Sequence, residues 1–360
     1  MEREIAGSDE SVQATANDAA LGKLSAASLG YFDDRFLEVL VGSDRTTDDR
    51  PVRRLPPVIN RGNFARVSCI EKLVLDFVGA TSKASSHHVQ GNGGEINNDG
   101  ACCDHPQSPI EQPLLRKPQV ISLGAGKDSL YFRLMDGGTP PSGGYFEVDF
   151  PAVSTWKAES VAKAPMLSAL VKDFYKLVAT DLRDTAALEK TLRTAGADFS
   201  APTIFLAECV MVYMEPAESA ALLQASDTPR ATQLLWCASN FSDSMFAAYE
   251  MTSPHDAFGK MMTQNIQRMG CLLPGFKPYP TLSSQKERFL NAGWDLARAA
   301  DMLQVFQSFL NPVEVRRISK IEVLDEVEEW ELIMRHYCIV VAAKGQDGVT
   351  RVATMTPLSS

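Results

Sequence analysis

The stretch VISLGAGKDSLYFRL, residues 120–134, reads as a buried strand, a glycine turn and the start of a helix. Gly124 and Gly126 let the backbone turn sharply and approach a ligand where a side chain would collide, and the helix that follows offers free N–H groups at its start. The third glycine of a dinucleotide fingerprint is replaced by Ser129, which lowers the case for a nicotinamide dinucleotide. A tight strand-to-helix turn with no ligand is the competing reading at this point.

The residues downstream of the turn weigh against that bland reading. The next apolar run ends in Glu147-Val148-Asp149, with Asp149 23 residues after Gly126, where such folds place the carboxylate that binds a ribose diol. A third run leads into Asp181-Leu182-Arg183-Asp184, an acid and an apolar residue suited to bracket an adenine. A fourth, TIFLAE at 203–208, delivers Glu208, and Tyr213 follows shortly after. Ligands of open α/β sheets bind at the carboxyl ends of the strands, so these residues collect at one edge.

The wider chain alternates strand-sized apolar runs with segments of helical period, the pattern of a largely parallel sheet covered on both faces. Strands are expected at 119–123, 145–149, 176–179, 203–208, 245–249 and 336–343. A helix over 63–77 buries Val67, Ile70, Leu73, Val74 and Phe77; Thr185 is expected to cap one that stops at Gly196, and Pro216 to open another. Ser284 with Glu287 reads as a capping box that opens a helix ended by Gly293, and a last helix is expected over 321–334. No repeat of 20 to 50 residues is present, which sets aside solenoids and propellers.

Composition bounds the function. Among 360 residues, 45% hydrophobic and 22% charged, a real core is available. Lys and Arg total 35 against 45 acidic residues, a net charge of −10, and the pI is near 5.1; neither a nucleic-acid backbone nor an anionic membrane is expected as a partner. No secretory signal, basic transit peptide or membrane span is read, and 7 cysteines without a CxxC pair suit a reducing compartment, so a cytoplasmic location is expected. Residues 1–18 read as a flexible tail, 81–117 as a disordered insertion rich in Gly, Asn, Ser and Pro, and 346–360 as a C-terminal tail, leaving a single domain over 19–345.

Taken together, INRGNFARV (59–67), ISLGAGKDSLYFRL (121–134), YFEVDFP (145–151), ATDLRD (179–184), FLAECVMVYM (205–214), FGKMMTQN (258–265), SQKERFLNAGW (284–294) and IMRHYC (333–338) resemble the leucine carboxyl methyltransferase family. The resemblance spans residues 19–345 apart from the insertion. It implies an α/β class I S-adenosylmethionine-dependent methyltransferase: a Rossmann-like, mostly parallel sheet with an antiparallel C-terminal strand, N-terminal helices and substrate-binding insertions. It implies methyl esterification of the C-terminal leucine of the type-2A protein phosphatase catalytic subunit, by a chain expected to be a monomer. By the same resemblance, Lys23 and Arg66 hold the carboxylate of S-adenosylmethionine, Gly124 is the loop glycine, and Asp149 binds the ribose. Asp181 and Leu182 flank the adenine, Glu208 is the strand-four acid, and Tyr213 stands near the transferring methyl.

The chemistry is consistent with a chain poor in histidine. A C-terminal carboxylate has an ordinary pKa of about 3.3 to 3.7, so at neutral pH it is already a nucleophile and needs no general base. The protein's task is alignment and exclusion of water, with Tyr213 orienting the carboxylate. Phe258, Met261, Met262, Ile266 and Met269 recur at helical spacing beside Asn265 and Arg268 and are candidates for the acceptor side, although packing on the sheet explains most such stripes. His87, His88, Cys102, Cys103 and His105 are poorly spaced for tetrahedral zinc, and no metal is expected. Cys209 reads as a small buried hydrophobe rather than a nucleophile. Two rivals of other classes are a related branch acting on a modified transfer RNA base, which resembles fusions longer than a chain ending at Ser360, and a protein that binds S-adenosylmethionine without catalysis.

Overall fold

In the computed structural model, residues 9–42, 54–87, 117–223 and 236–354 are described. Strands β1 (Gln119–Leu123), β2 (Gly144–Asp149), β3 (Tyr175–Ala179), β4 (Thr203–Glu208), β5 (Ser244–Met251), β6 (Leu296–Asp301) and β7 (Tyr337–Lys344) form one sheet. Its order is β3-β2-β1-β4-β5-β7-β6, with β1 to β5 parallel and β7 antiparallel to both β5 and β6. This is the class I methyltransferase sheet, with the antiparallel strand where it was expected. Strand order reverses on either side of β1, so the crevice beyond the carboxyl ends of β1 and β4 is where the topology opens a ligand site.

Both faces of the sheet are covered, which is why β1, β4, β5 and β7 read as continuous apolar runs. Val120, Ile204, Leu206, Met245, Ile339 and Val341 face a core shared with the N-terminal helices, while Ile121, Phe205, Phe246, Val340 and Ala342 face the other, rich in Phe and Trp. All six expected strands are present, with β7 starting at Tyr337 because His336 still belongs to the end of the helix Val327–Arg335. The seventh, β6, reads LARAAD; small residues and Arg298 hide a strand whose place is fixed by pairing along β7.

Three helices precede the sheet: α1 (Asp9–Ser28), α2 (Arg35–Gly42) and α3 (Pro57–His87). The tail expected over 1–18 is therefore helical from Asp9, an Ala-rich helix with Asp9 and Glu10 in its first turn, where a helix dipole favours acids. α3 buries Val67, Ile70, Leu73, Val74 and Phe77 as expected, but it runs from Pro57 through His87 and so enters the segment read as an insertion from residue 81. Residues 88–116 of that segment, with His88, Cys102, Cys103 and His105, lie outside the described residues. The tail expected after 345 is also corrected. Gln346–Thr354 is a helix, docked by Val352 in the core and by Arg351, which grips Asp243 through both terminal guanidinium nitrogens at 2.6 and 3.0 Å.

The helix caps shift by a residue or more. The carboxylate of Asp184, not Thr185, accepts the Ala187 N–H at 2.9 Å. Thr281, not Ser284, opens the helix Leu282–Asn291; the Thr281 hydroxyl accepts the Ser284 N–H and the Ser284 hydroxyl accepts the Thr281 N–H, at 3.1 and 2.9 Å. The helix expected over 321–334 begins at Val327, with non-helical chain before it, and is followed by the helix at Gln346–Thr354. Among the described residues no helix is long and apolar enough to cross a membrane.

Candidate functional site

A cavity of about 440 Å³ opens at the carboxyl ends of β1 to β4, roofed by α1 and α3. Lys23, Arg66, Gly124, Asp149, Asp181, Leu182, Glu208 and Tyr213 all line it, so the eight residues marked by the resemblance meet in one place.

Backbone geometry builds its floor. Gly124 and Gly126 take φ of +62° and +52°, and a Cβ on Gly124 would lie 2.7 Å from Val210 Cγ2. The turn is fastened to β2: the Gly124 N–H donates to the Val148 carbonyl at 2.8 Å, and the Gly126 N–H donates to Asp149 Oδ2 at 2.7 Å. The other oxygen of Asp149 accepts the Phe150 N–H at 2.8 Å. Burial raises the Asp149 pKa, and these two N–H groups oppose it.

A four-charge cluster forms the inner wall. Lys23 Nζ lies 3.0 Å from Asp128 and 3.2 Å from Glu208, and Arg66 Nε lies 2.5 Å from Glu208. Burial pushes both acids up, but Lys23 with Arg133 and Lys157 at Asp128, and Lys23 with Arg66 at Glu208, outweigh it and hold both below the ordinary carboxylate range. Asp128 was not among the residues named from the sequence. It stands two places after Gly126 at the foot of a helix, a position that could have marked it. Behind it, Lys157 Nζ donates to the Asp128 carbonyl at 2.6 Å and ion-pairs with buried Glu147, whose pKa burial raises to about 7 against the pull of Lys157.

The end of β3 is tied to α1. Arg183 grips Asp181 through Nε to Oδ1 at 3.0 Å and Nη2 to Oδ2 at 2.6 Å, and the same Nη2 reaches Asp9 at 2.8 Å. Asp9, Val12, Gln13, Thr15 and Ala16, within the stretch expected to be a tail, therefore line the cavity.

The opposite wall is apolar. Beyond Glu208 the chain turns at Cys209, a non-glycine residue at φ +56°, and enters the short helix Met211–Tyr213. The Cys209 N–H donates to the Tyr249 carbonyl at 2.7 Å, and the Met211 N–H donates to Glu250 Oε1 at 3.0 Å. Burial pushes the Cys209 thiol up to about 12 despite Arg66, which disfavours the nucleophilic thiolate, but the side chain is only half-buried and lines the cavity, not the buried hydrophobe expected from the sequence. Tyr213 stays a neutral phenol: burial raises it further, while a hydrogen bond with Thr15 of α1 opposes. Met251, Ile266, Met269, Ile333, Met334 and Tyr337 complete this wall. Of the stripe named from the sequence, Met262 and Phe258 pack inward, Ile266 and Met269 reach the cavity, and Met261 is exposed. Tyr337 stacks on Tyr249 with ring centres 5.3 Å apart, and the Arg66 guanidinium lies 4.7 Å from the Tyr249 ring centre. Among the described residues no cluster of His, Cys, Asp and Glu is placed to hold a metal ion.

Residues 115–227 match the family model described as leucine carboxyl methyltransferase. The chain is 34% identical to a leucine carboxyl methyltransferase 1 homolog of Arabidopsis thaliana, over 94% of this chain and 90% of the relative. It is 35% identical to leucine carboxyl methyltransferase 1 of Bos taurus, over 94% and 91%. It is also 34% identical to the tRNA wybutosine-synthesizing protein 4 of Homo sapiens, over 93% of this chain and 44% of that one.

Proposed function

The chain belongs to the leucine carboxyl methyltransferase family, an S-adenosylmethionine-dependent family, and from that membership we propose that it methyl-esterifies the C-terminal leucine carboxylate of the type-2A protein phosphatase catalytic subunit, in the cytoplasm. The observation that carries the choice of acceptor is the apolar wall: Met251, Ile266, Met269, Ile333 and Met334 around Tyr213 and Tyr337 suit a branched aliphatic side chain. The similarity to a tRNA wybutosine-synthesizing protein favours a second reading, a transfer RNA base as acceptor. The net charge of −10 weighs against it.

The residues present fit S-adenosylmethionine. Two cations, Lys23 and Arg66, alternate with two carboxylates, Asp128 and Glu208, and this suits a ligand end that carries both a carboxylate and an ammonium. Gly124, at positive φ and close against Val210, keeps the turn at the cavity floor free of a side chain, Asp149 stands at the end of β2 for a ribose diol, and Asp181 with Leu182 stand just past the end of β3 for the adenine. When bound, the cofactor supplies a methyl group activated by its own sulfonium. The chain's part is alignment. No proton has to move, because a C-terminal carboxylate is ionised at neutral pH. Tyr213, a neutral phenol, orients that carboxylate without the strong ion pair that would hold back its lone pair. α1 closes over the cavity through Thr15 and Asp9 and excludes water.

Incubation with methyl-labelled cofactor and the phosphatase catalytic subunit, with and without its last leucine, tests this reading. Label is expected on the intact subunit only and not on transfer RNA. Label that survives removal of the leucine, or that goes to transfer RNA instead, overturns it.

A further inference from the structure

Glu250 at the end of β5 is the least exposed acid on the acceptor side of the cavity, 1% accessible, and the chemistry above gives it no part. Its Oε1 accepts the Met211 N–H at 3.0 Å, at the first residue of the short helix that ends in Tyr213. Its counter-charge is Arg288 of the helix Leu282–Asn291, itself 5% accessible, with its guanidinium carbon 4.2 Å from the Tyr279 ring centre. Among the described residues, Nε, Nη1 and Nη2 of Arg288 have no hydrogen-bond partner. A buried acid and a buried guanidinium are costly in a core unless they hold something, and what this acid holds is the turn.

The turn needs holding. Cys209 sits in the left-handed region at φ +56°, a conformation that is strained for a non-glycine residue. Consecutive residues of β5 pin it: the Tyr249 carbonyl takes the Cys209 N–H at 2.7 Å, and the Glu250 carboxylate takes the Met211 N–H. From the far side the Gly275 N–H donates to the Val212 carbonyl at 3.0 Å, and a Cβ on Gly275 would lie 2.2 Å from the Met211 carbonyl oxygen. The strained residue separates Glu208, which faces the charged wall, from Tyr213, which faces the apolar one.

We propose that Glu250, compensated by Arg288, is a positioning residue for methyl transfer: through the Met211 amide it sets the turn that presents Tyr213 to the acceptor. This rests on the role given to Tyr213 above. The acceptor oxygen, rather than the charge, is the working part, so a side chain that keeps the oxygen works and one that loses it does not.

Two double variants separate this role from stability, since both remove the buried charge pair: Glu250→Gln with Arg288→Met keeps an acceptor for the Met211 N–H, and Glu250→Leu with Arg288→Met removes it. For each, cofactor affinity by calorimetry, kcat on the phosphatase tail and hydrogen exchange at residues 210–213 are measured. The Gln pair is expected to keep kcat within about threefold of the parent. The Leu pair is expected to lose at least about tenfold in kcat, with cofactor affinity within about twofold and faster exchange at Met211. Equal kcat in the two pairs, or a loss that falls wholly on cofactor affinity, overturns the proposal. If the parent leaves the phosphatase tail unlabelled, the choice of acceptor is wrong, and exchange at Met211 still decides: protection equal in the two pairs overturns the role of Glu250.

Discussion

The two walls of the cavity solve opposite problems. The wall at the ends of β1 and β4 is built from charge, with Lys23, Arg66, Asp128 and Glu208 compensating one another within 3.2 Å; the facing wall is built from Met, Ile and Tyr, with the buried charges of Glu250 and Arg288 set behind it. In the first, neighbouring cations keep the acids ionised against burial. In the second, burial wins and raises Glu250 to about 7 despite Arg288 and the backbone N–H groups that oppose it. The difference teaches that charge density alone does not set ionisation in this site; the number of cations within reach does.

The strongest way to break this contrast is Glu208→Ala. It strips Arg66 of its acid and leaves Lys23 with Asp128 alone, so cofactor affinity by calorimetry is expected to fall by at least about 100-fold and stability by about 3 kcal/mol. A smaller effect follows from pH. Glu147 and Glu250 are both raised to about 7, so the folded state holds their protons longer than the unfolded chain. Their contribution is complete below about pH 4.5 and is lost as pH rises through 7, by about 3 kcal/mol for each at most. Asp128 and Glu208, held low, contribute in the opposite sense and lose their share as the pH falls below the ordinary carboxylate range. Thermal melts from pH 4 to 8 should therefore peak near pH 5 to 6 and decline toward 8; a curve that rises steadily to 8 would show that both raised acids are ionised.

Tyr213→Phe sharpens the contrast from the other side. Removing one hydroxyl from the apolar wall should lower kcat about tenfold and leave cofactor affinity unchanged, since the charged wall is untouched; equal loss in both would mean that the walls are not separable. The mildest change is Arg183→Ala, which cuts α1 from Asp181. The pair is partly exposed, so a two- to threefold weaker cofactor affinity is expected, diminishing at high salt.

Much of this was legible beforehand because the parallel strands are buried on both faces and advertise themselves as apolar runs bounded by turn residues. Gly124, Asp149, Asp181 and Glu208 were legible because they sit at or just past the ends of those runs, whereas Lys23 and Arg66, on α1 and α3, came from the family resemblance alone. What escaped is physically different. β6 takes its strand state from pairing with β7, not from its own Ala and Arg residues. α1 is polar enough to pass for a tail, yet Lys23, Thr15 and Asp9 make it part of the cavity. Asp128 and Glu250 act on residues far away in sequence, Lys23 and Met211, so no local spacing marks the partnership.

The alternating charges of the inner wall also define what would obstruct this protein. A competitor bearing only a carboxylate would meet Lys23 and Arg66 but crowd Asp128 and Glu208, and one bearing only an amine would do the reverse. Burial raises the Cys209 thiol above its ordinary value and so lowers the thiolate fraction that an electrophilic warhead would need. Selective inhibitors should therefore be reversible and dipolar at one end and greasy at the other.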